Sequence, residues 1–387
     1  MEVTRFISRK LRFQGNLAVL SIAVSFLVIL IAVAVSSGFR HTVRDGISAL
    51  TGDIRIAPRS SLIDGEGVSI PASLPSEKTL SSMPGVRELR PVAVRAGIVR
   101  SGEVVHGVLV KGLPGRPDSS LCVSIPTRLS AITGLKEGDD MTTYFIGDRV
   151  RVRKFHVTEI HRDMVEMDDN LVVYANLEDI QRLNGWDAGE ASAVEVLLRP
   201  GSKSNAEMND LADEIGIQLL LSGNDEESSL VVSSAPRTYP QVFDWLDLLD
   251  FNVLFILILM IIVAGFNMVS GLLIMLFRNI STIGTLKTMG MSDGAIGKVF
   301  LRVASGVVLK GMLIGNGIAL LLCFIQGTTH VLKLDPVNYF VSYVPVHVNL
   351  PWVLAADAVA YVGIMLLLLI PTLFIAHVDA AKTVKAN

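Results

Sequence analysis

The placement of long apolar runs limits what this chain can fold into more than any motif it contains. Asn16–Phe39 and Phe251–Phe277 hold no charged residue, Val303–Thr329 holds only Lys310, and Trp352–Ala376 holds only Asp357. A helix needs about 20 apolar residues to cross a hydrocarbon core of about 30 Å. Each run is long enough, so the sequence predicts a membrane α-helical protein with four transmembrane helices. A large extracytoplasmic α+β domain is inserted between the first and second. The expected boundaries are 1–15 for a cytoplasmic interfacial helix, 16–39 for the first span and 40–244 for the α+β domain. The second span with an outer extension takes 245–277, a cytoplasmic loop 278–302 and the third span 303–327. An outer loop at 328–351, the fourth span at 352–376 and a tail at 377–387 complete the chain.

Positive charge sets the expected orientation. Arg5, Arg9, Lys10 and Arg12 precede the first run, and Arg278, Lys287, Lys298 and Arg302 lie between the second and third. Lys382 and Lys385 follow the fourth, whereas the connection from third to fourth has only Lys333, beside Asp335. Four spans bring the basic segments to one side, so both termini and the 278–302 loop are expected in the cytoplasm. The first run has a rival reading. Ala32-Val33-Ala34 after a basic start fits a signal-peptidase site, although the apolar stretch exceeds the usual 7–15 residues or so. The net charge of −3 gives no footprint for nucleic acid, which is not expected as a partner. Cys122 and Cys323 fall on opposite sides of the lipid–water divide and are not expected to pair.

Val3, Phe6, Ile7 and Leu11 share one helical face ahead of the first run, the pattern of an interfacial helix. Inside the inserted domain, Asp53–Ala57 alternates as a strand does, and Val92–Val99 and Val104–Val110 flank a hairpin signal at Ser101-Gly102-Glu103. Val150–Ile160, Asn170–Tyr174 and Ala193–Leu198 read as further strands. Leu177–Leu183 reads as a short helix ending near Gly185, and Ser204 as the N-cap of a helix to Ile215. Ser222–Ser229 is polar and reads as loop, and a division into two lobes is expected near Pro114–Ser130. Between Pro240 and the second run no residue breaks a helix, so one helix is expected to pass from domain to bilayer.

The chemistry-bearing motifs are mostly missing. The chain has no G-x-x-x-x-G-K-[ST] loop, no G-x-S-x-G elbow and no H-E-x-x-H. His156, Glu159 and His161 lack the spacing of helical metal ligands, and Asp244, Asp247 and Asp250 read as a solvated face. No catalytic residue, no metal site and no cofactor bound by this chain are expected. Lys310 lies about 10–12 Å into its run and Asp357 about 7–8 Å into its own, at 1.5 Å per residue. At those depths structural roles are favoured over an ion path. Gly311 and Gly315 form a G-x-x-x-G, which serves packing within the four helices or against a second subunit equally well. Asn267 is polar inside the second run and is expected to bond a neighbouring helix. The 278–302 loop has apolar points at Ile283, Leu286, Met289, Ile296 and Val299, interrupted by Gly290 and Gly294. That pattern suggests a short helix along the membrane surface that docks a partner; the bland alternative is a solvated connector.

At this loop a resemblance enters. Phe266-Asn267, then Ile283-Gly284-Thr285-Leu286-Lys287-Thr288-Met289-Gly290, then Ile296-Gly297-Lys298-Val299-Phe300 resembles the permease subunits of lipoprotein-releasing ABC transporters. These form the LolC/LolE family within the MacB- and FtsX-like permeases. Ser37-Gly38-Phe39 with Leu50-Thr51-Gly52-Asp53-Ile54, Gly134-Leu135-Lys136-Glu137-Gly138-Asp139, and Pro371 with Ala380-Ala381-Lys382-Thr383-Val384 are similar to further family patterns. Thr282 stands where the family usually has an acid, and Ala380 where it usually has proline. The resemblance implies a partner ATPase dimer carrying ATP and Mg, a second permease that is a paralogue or another copy, lipoprotein cargo and a periplasmic carrier. It implies the inner membrane of a Gram-negative bacterium. It assigns Ile283, Leu286, Lys287, Met289, Gly290, Ile296 and Lys298 to an ATPase-coupling helix. The alternative within the wider group is a mechanotransmission permease that acts on a cell-wall hydrolase or an efflux partner.

Overall fold

The computed structural model describes residues 16–59, 68–102, 104–117, 119–147, 150–162, 171–200, 204–222, 224–335 and 339–372. The expected interfacial helix at 1–15 and the tail at 377–387 lie outside the described residues. The longer helices are α1 (Asn16–Thr51), α2 (Leu177–Asn184), α3 (Asn205–Leu221), α4 (Pro240–Arg278), α5 (Ile280–Thr288), α6 (Asp293–Thr329) and α7 (Leu350–Leu367). The strands used below are β1 (Ile54–Pro58), β2 (Ile70–Pro71), β3 (Val86–Ser101), β4 (Val104–Leu113), β5 (Cys122–Pro126) and β6 (Asp140–Phe145). The series continues with β7 (Arg151–His161), β8 (Val172–Asn176), β9 (Glu190–Ala191), β10 (Ala193–Leu198) and β11 (Leu230–Ser234). Two compact units result: Met1–Arg40 with Leu246–Lys333 and Tyr343–Asn387, and His41–Trp245 with Leu334–Ser342.

In the first unit α1, α4, α6 and α7 are long and apolar enough to span a membrane. Helices suit that setting because each satisfies its own backbone bonds, which lipid cannot do. Their shared core holds Ile22, Phe26, Met268, Phe300, Val308 and Ile364. Two helices extend beyond the apolar runs that announce them. Helix α1 continues to Thr51, and α6 begins at Asp293, ten residues before the run at Val303. Amphipathic extensions of this kind do not register in a hydropathy reading, although the Ser292-Asp293 pair is an ordinary helix start.

The second unit is built on one sheet ordered β11-β1-β10-β3-β4-β8-β5-β7-β6, with β6 returning to β3. Six strands therefore close a barrel: β3 on β4, β4 on β8, β8 on β5, β5 on β7, β7 on β6 and β6 on β3. The closing contact pairs Ile98 with Tyr144 and Val99 with Thr143, and closure of this kind removes exposed sheet edges. Its interior is filled by residues that include Val99, Val110, Val123, Phe145, Phe155 and Val157. Phe145 and Phe155 meet edge to face at 6.4 Å, a favoured aromatic geometry. The other strands of this sheet, β10, β1 and β11, extend from the first half of β3, and β2 pairs with β9 separately.

The expected division near Pro114–Ser130 does not occur. The halves meet inside β3, where residues to Val92 pair with β10 and residues from Ala93 pair with β4. The boundary lies within one continuous strand, where Pro91 alone marks it and no loop intervenes. The hairpin at β3–β4 and the strand at Ala193–Leu198 form as the sequence predicts. Helix α3 starts at a capping box, in which Ser204 accepts from the Glu207 N–H and Glu207 reaches back to the Ser204 N–H. The stretch read as loop at Ser222–Ser229 contains a helical turn, Asp225–Ser228, which Asn224 caps.

Candidate functional site

The element between α4 and α6 is built by three local devices. Asn279 ends α4: its N–H and its Nδ2 both donate to Met275 O, at 3.1 and 2.8 Å. Helix α5 then runs nine residues to Thr288, and Gly290 takes a left-handed φ of +87°, a conformation glycine adopts without cost. Its N–H donates to Lys287 O at 2.9 Å, and that of Met291 to Leu286 O at 3.0 Å. Lys287 Nζ, in the last turn of α5, meets Asp293 Oδ1, in the first turn of α6, at 2.9 Å. Each charge lies at the helix end whose dipole favours it.

The sequence-derived residues divide into two groups on this element. Ile283 and Ile296 are fully buried in the four-helix core, and Leu286 packs against it half-buried. These three fasten the element. Met289 is 78% exposed, and Gly290 and Lys298 are exposed. Lys287 is tied up in its ion pair. The outward face is completed by Ser281, Thr282, Thr285 and Thr288, all exposed at helical spacing. Thr285 donates to Ser281 O at 3.0 Å and Thr288 to Thr285 O at 2.8 Å, so both hydroxyls are satisfied within the helix. Apolar periodicity marks the buried side of such an element and passes over this threonine row. The hydroxyl bonds and the Lys287–Asp293 pair lie within the element and hold its own shape.

Polar bonds hold the helices of the first unit together. A Cβ at Gly311 would meet Ile22 Cγ2 at 2.6 Å, and one at Gly315 would run into Ala23 O and come within 3.1 Å of Leu27 N. The G-x-x-x-G of α6 therefore packs on the backbone of α1 within this chain. Asn267 Nδ2 on α4 donates to Ser21 Oγ on α1 at 2.5 Å. Farther along the same two helices, Asp250 accepts from Ser36 Oγ at 2.9 Å and pairs with Arg40. Asp250 is thus no part of a solvated acidic face, as its i, i+3, i+6 spacing had suggested. Asp357 on α7 is 7% exposed and accepts from Asn316 Nδ2 on α6 at 2.6 Å, while Lys310 is exposed.

Residues 254–380 match the family model described as FtsX-like permease C-terminal, a stretch that contains the whole α5 element. The lipoprotein-releasing system transmembrane protein LolC of Xylella fastidiosa (strain Temecula1) is 21% identical, over 96% of this chain and 94% of its own. The protein of the same name from Neisseria meningitidis serogroup B is 23% identical, over 87% and 86%. Among solved structures, the periplasmic region of MacB from Actinobacillus actinomycetemcomitans overlaps with a TM-score of 0.31 at 15% identity, covering 49% of this chain and 92% of that one. The extracellular domain of the noncanonic ABC-type transporter YknZ from Gram-positive bacteria overlaps with a TM-score of 0.31 at 12% identity, covering 47% and 99%. Overlaps at that level add nothing to the assignment, which rests on the family match and on the LolC proteins aligned over most of their length. The chain thus carries an FtsX-like permease C-terminal segment and is similar to LolC proteins over most of its length, a multi-pass membrane protein with a β-rich domain inserted after its first helix.

Proposed function

We propose that this chain is the permease subunit of an ABC transporter that extracts lipoproteins from the outer leaflet of a bacterial inner membrane. ATP hydrolysis takes place on a separate ATPase dimer, which carries ATP and Mg; the permease itself contributes no catalytic group. The observation that supports this most is the α5 element, with an inner face locked into the helix core and an outer face left to a partner. In this reading Ile283, Leu286 and Ile296 anchor the coupling helix, Lys287 fixes its end to α6, and Met289, Gly290 and Lys298 meet the ATPase together with the threonine row. The element and both termini lie in the cytoplasm. Closure of the ATPase dimer moves the membrane helices, a second permease completes the pathway, and the acylated cargo passes to a soluble periplasmic carrier.

Lipoprotein as cargo is supported by the near full-length alignment with two LolC proteins. The experiment is mass spectrometry of the complex purified gently from its own membranes. A P-loop ATPase recovered together with acylated lipoproteins supports the proposal. An ATPase recovered with a peptidoglycan hydrolase and no lipoprotein replaces it with mechanical control of the cell wall. An intact complex without any ATPase refutes both.

A further inference from the structure

Outside the coupling element, a group of buried charges lies where helix α1 ends. A helix terminus leaves its last four carbonyls without partners inside the helix. Here two of them, Ala49 O and Leu50 O, accept from Lys111 Nζ at 2.9 and 2.8 Å. The third N–H of that ammonium goes to Glu195 Oε1 at 2.6 Å, so every donor of Lys111 is used. Glu195 Oε2 accepts from Arg90 at 2.8 Å. The Lys111 and Glu195 side chains are 1% and 2% exposed. Gly52, which follows the helix at φ +75°, lies so close that a Cβ would stand 2.8 Å from Glu195 Cβ. The next residue is fastened too: the Asp53 carboxylate accepts from the Leu198 N–H at 2.7 Å, and Asp53 O from the Ala235 N–H at 2.9 Å.

Three elements therefore meet at one ammonium: β4 of the barrel, β10 of the flanking strands, and the last turn of α1. A buried ion pair is a poor way to add stability, because desolvation offsets most of the attraction. It does give short, directional bonds, which resist sliding where apolar contacts would slip. We propose that Lys111, seated on Glu195, is the positioning residue that fixes the end of α1 to both halves of the β domain. A displacement of α1 is then delivered to the barrel and the flanking strands together. The inference goes beyond the transport reading and does not depend on the cargo.

The test uses the full chain in lipid nanodiscs. Hydrogen exchange is followed by mass spectrometry for wild type, Lys111→Met and the double variant Lys111→Met with Glu195→Leu. The double variant removes both charges, so no unpaired carboxylate is left to unfold the domain. Exchange in the last turn of α1 should rise about tenfold or more in both variants, since the capping bonds are gone. The barrel strands around Val110, Val123 and Val157 should keep their protection in the double variant. When the same variants are combined with the ATPase, ATP turnover should persist while ATP-driven cargo release is lost. Should wild type itself show no ATP-driven release, the transport reading has failed and the exchange data alone decide the joint. Unchanged exchange at the end of α1 in both variants overturns the proposal. So does loss of barrel protection in the double variant, which would make Lys111 a general folding residue.

Discussion

Replacing Gly315 by alanine tests the helix packing with the fewest assumptions. In the middle of α6, Gly→Ala gains about 0.8–1.0 kcal/mol of helix propensity wherever the new methyl has room. At Gly317 nothing lies within 4 Å of the new atom, so that gain should appear in full. At Gly315 the methyl runs into Ala23 O and stands 3.1 Å from Leu27 N, both backbone atoms of α1 that no rotamer change can move. Overpacking of this kind costs about 1–3 kcal/mol. The propensity gain is common to both positions, so the difference between the variants isolates that steric cost. It corresponds to roughly 5- to 150-fold in the unfolding equilibrium. Gly311→Ala should also be less stable than Gly317→Ala, because its new methyl meets Ile22 Cγ2 and Cβ at 2.6 and 2.8 Å and Val19 O at 3.2 Å, and a β-branched side chain is stiff that close to the backbone. Denaturant unfolding of the purified chain in detergent, followed by far-UV circular dichroism, ranks the three. If Gly315→Ala proves as stable as Gly317→Ala, α6 does not pack on α1 in the way described.

Two further predictions concern the coupling surface and the β domain. Met289→Asp places a charge on an exposed side chain without touching the core, so it should leave folding intact while weakening ATPase binding by about tenfold or more, as loss of an interface hot spot does; equal affinity in a pull-down titration would remove Met289 from the contact. The hydrogen bonds from Arg237 hold the Asp213 carboxyl below its ordinary 3.8, at N···O distances of 2.6 and 2.8 Å. A carboxylate with a depressed folded pKa contributes stability above its unfolded value and loses it as pH falls through the folded one. Melting temperature should therefore drop below about pH 4 with a component that Asp213→Asn abolishes, and an unchanged pH profile in that variant would count against the pair.

Much of the fold was legible because lipid and pleated sheet impose simple patterns. Uncharged runs such as Phe251–Phe277 can do little except span a membrane, and Ala193–Leu198 is a short run, apolar but for Glu195, that Pro200-Gly201 stops. The closed barrel was not legible, because its closure depends on β6 returning to β3, a pairing that no local pattern encodes. The candidate site was half visible. Ile283 and Ile296 stand out by apolar spacing because they face the core, whereas Thr282, Thr285 and Thr288 look like any solvated helix face. The joint at the end of α1 left a faint trace: Lys111 and Glu195 are single charges inside strands that are otherwise apolar. A charge within a buried strand needs a partner, but the sequence does not say which one. Asp250 misled in the opposite sense, because its acidic spacing concealed a bond to Ser36 and Arg40 from the facing helix.

In the proposed function, ATP-driven movement of this permease releases lipoproteins. Depleting the chain from its native cell and separating inner from outer membranes tests that claim most directly. Newly made lipoproteins bound for the outer membrane should accumulate in the inner-membrane fraction, and the wild-type chain should restore their release while a Met289→Asp chain does not. Normal lipoprotein distribution after complete depletion, with no second copy of the gene to compensate, would contradict it.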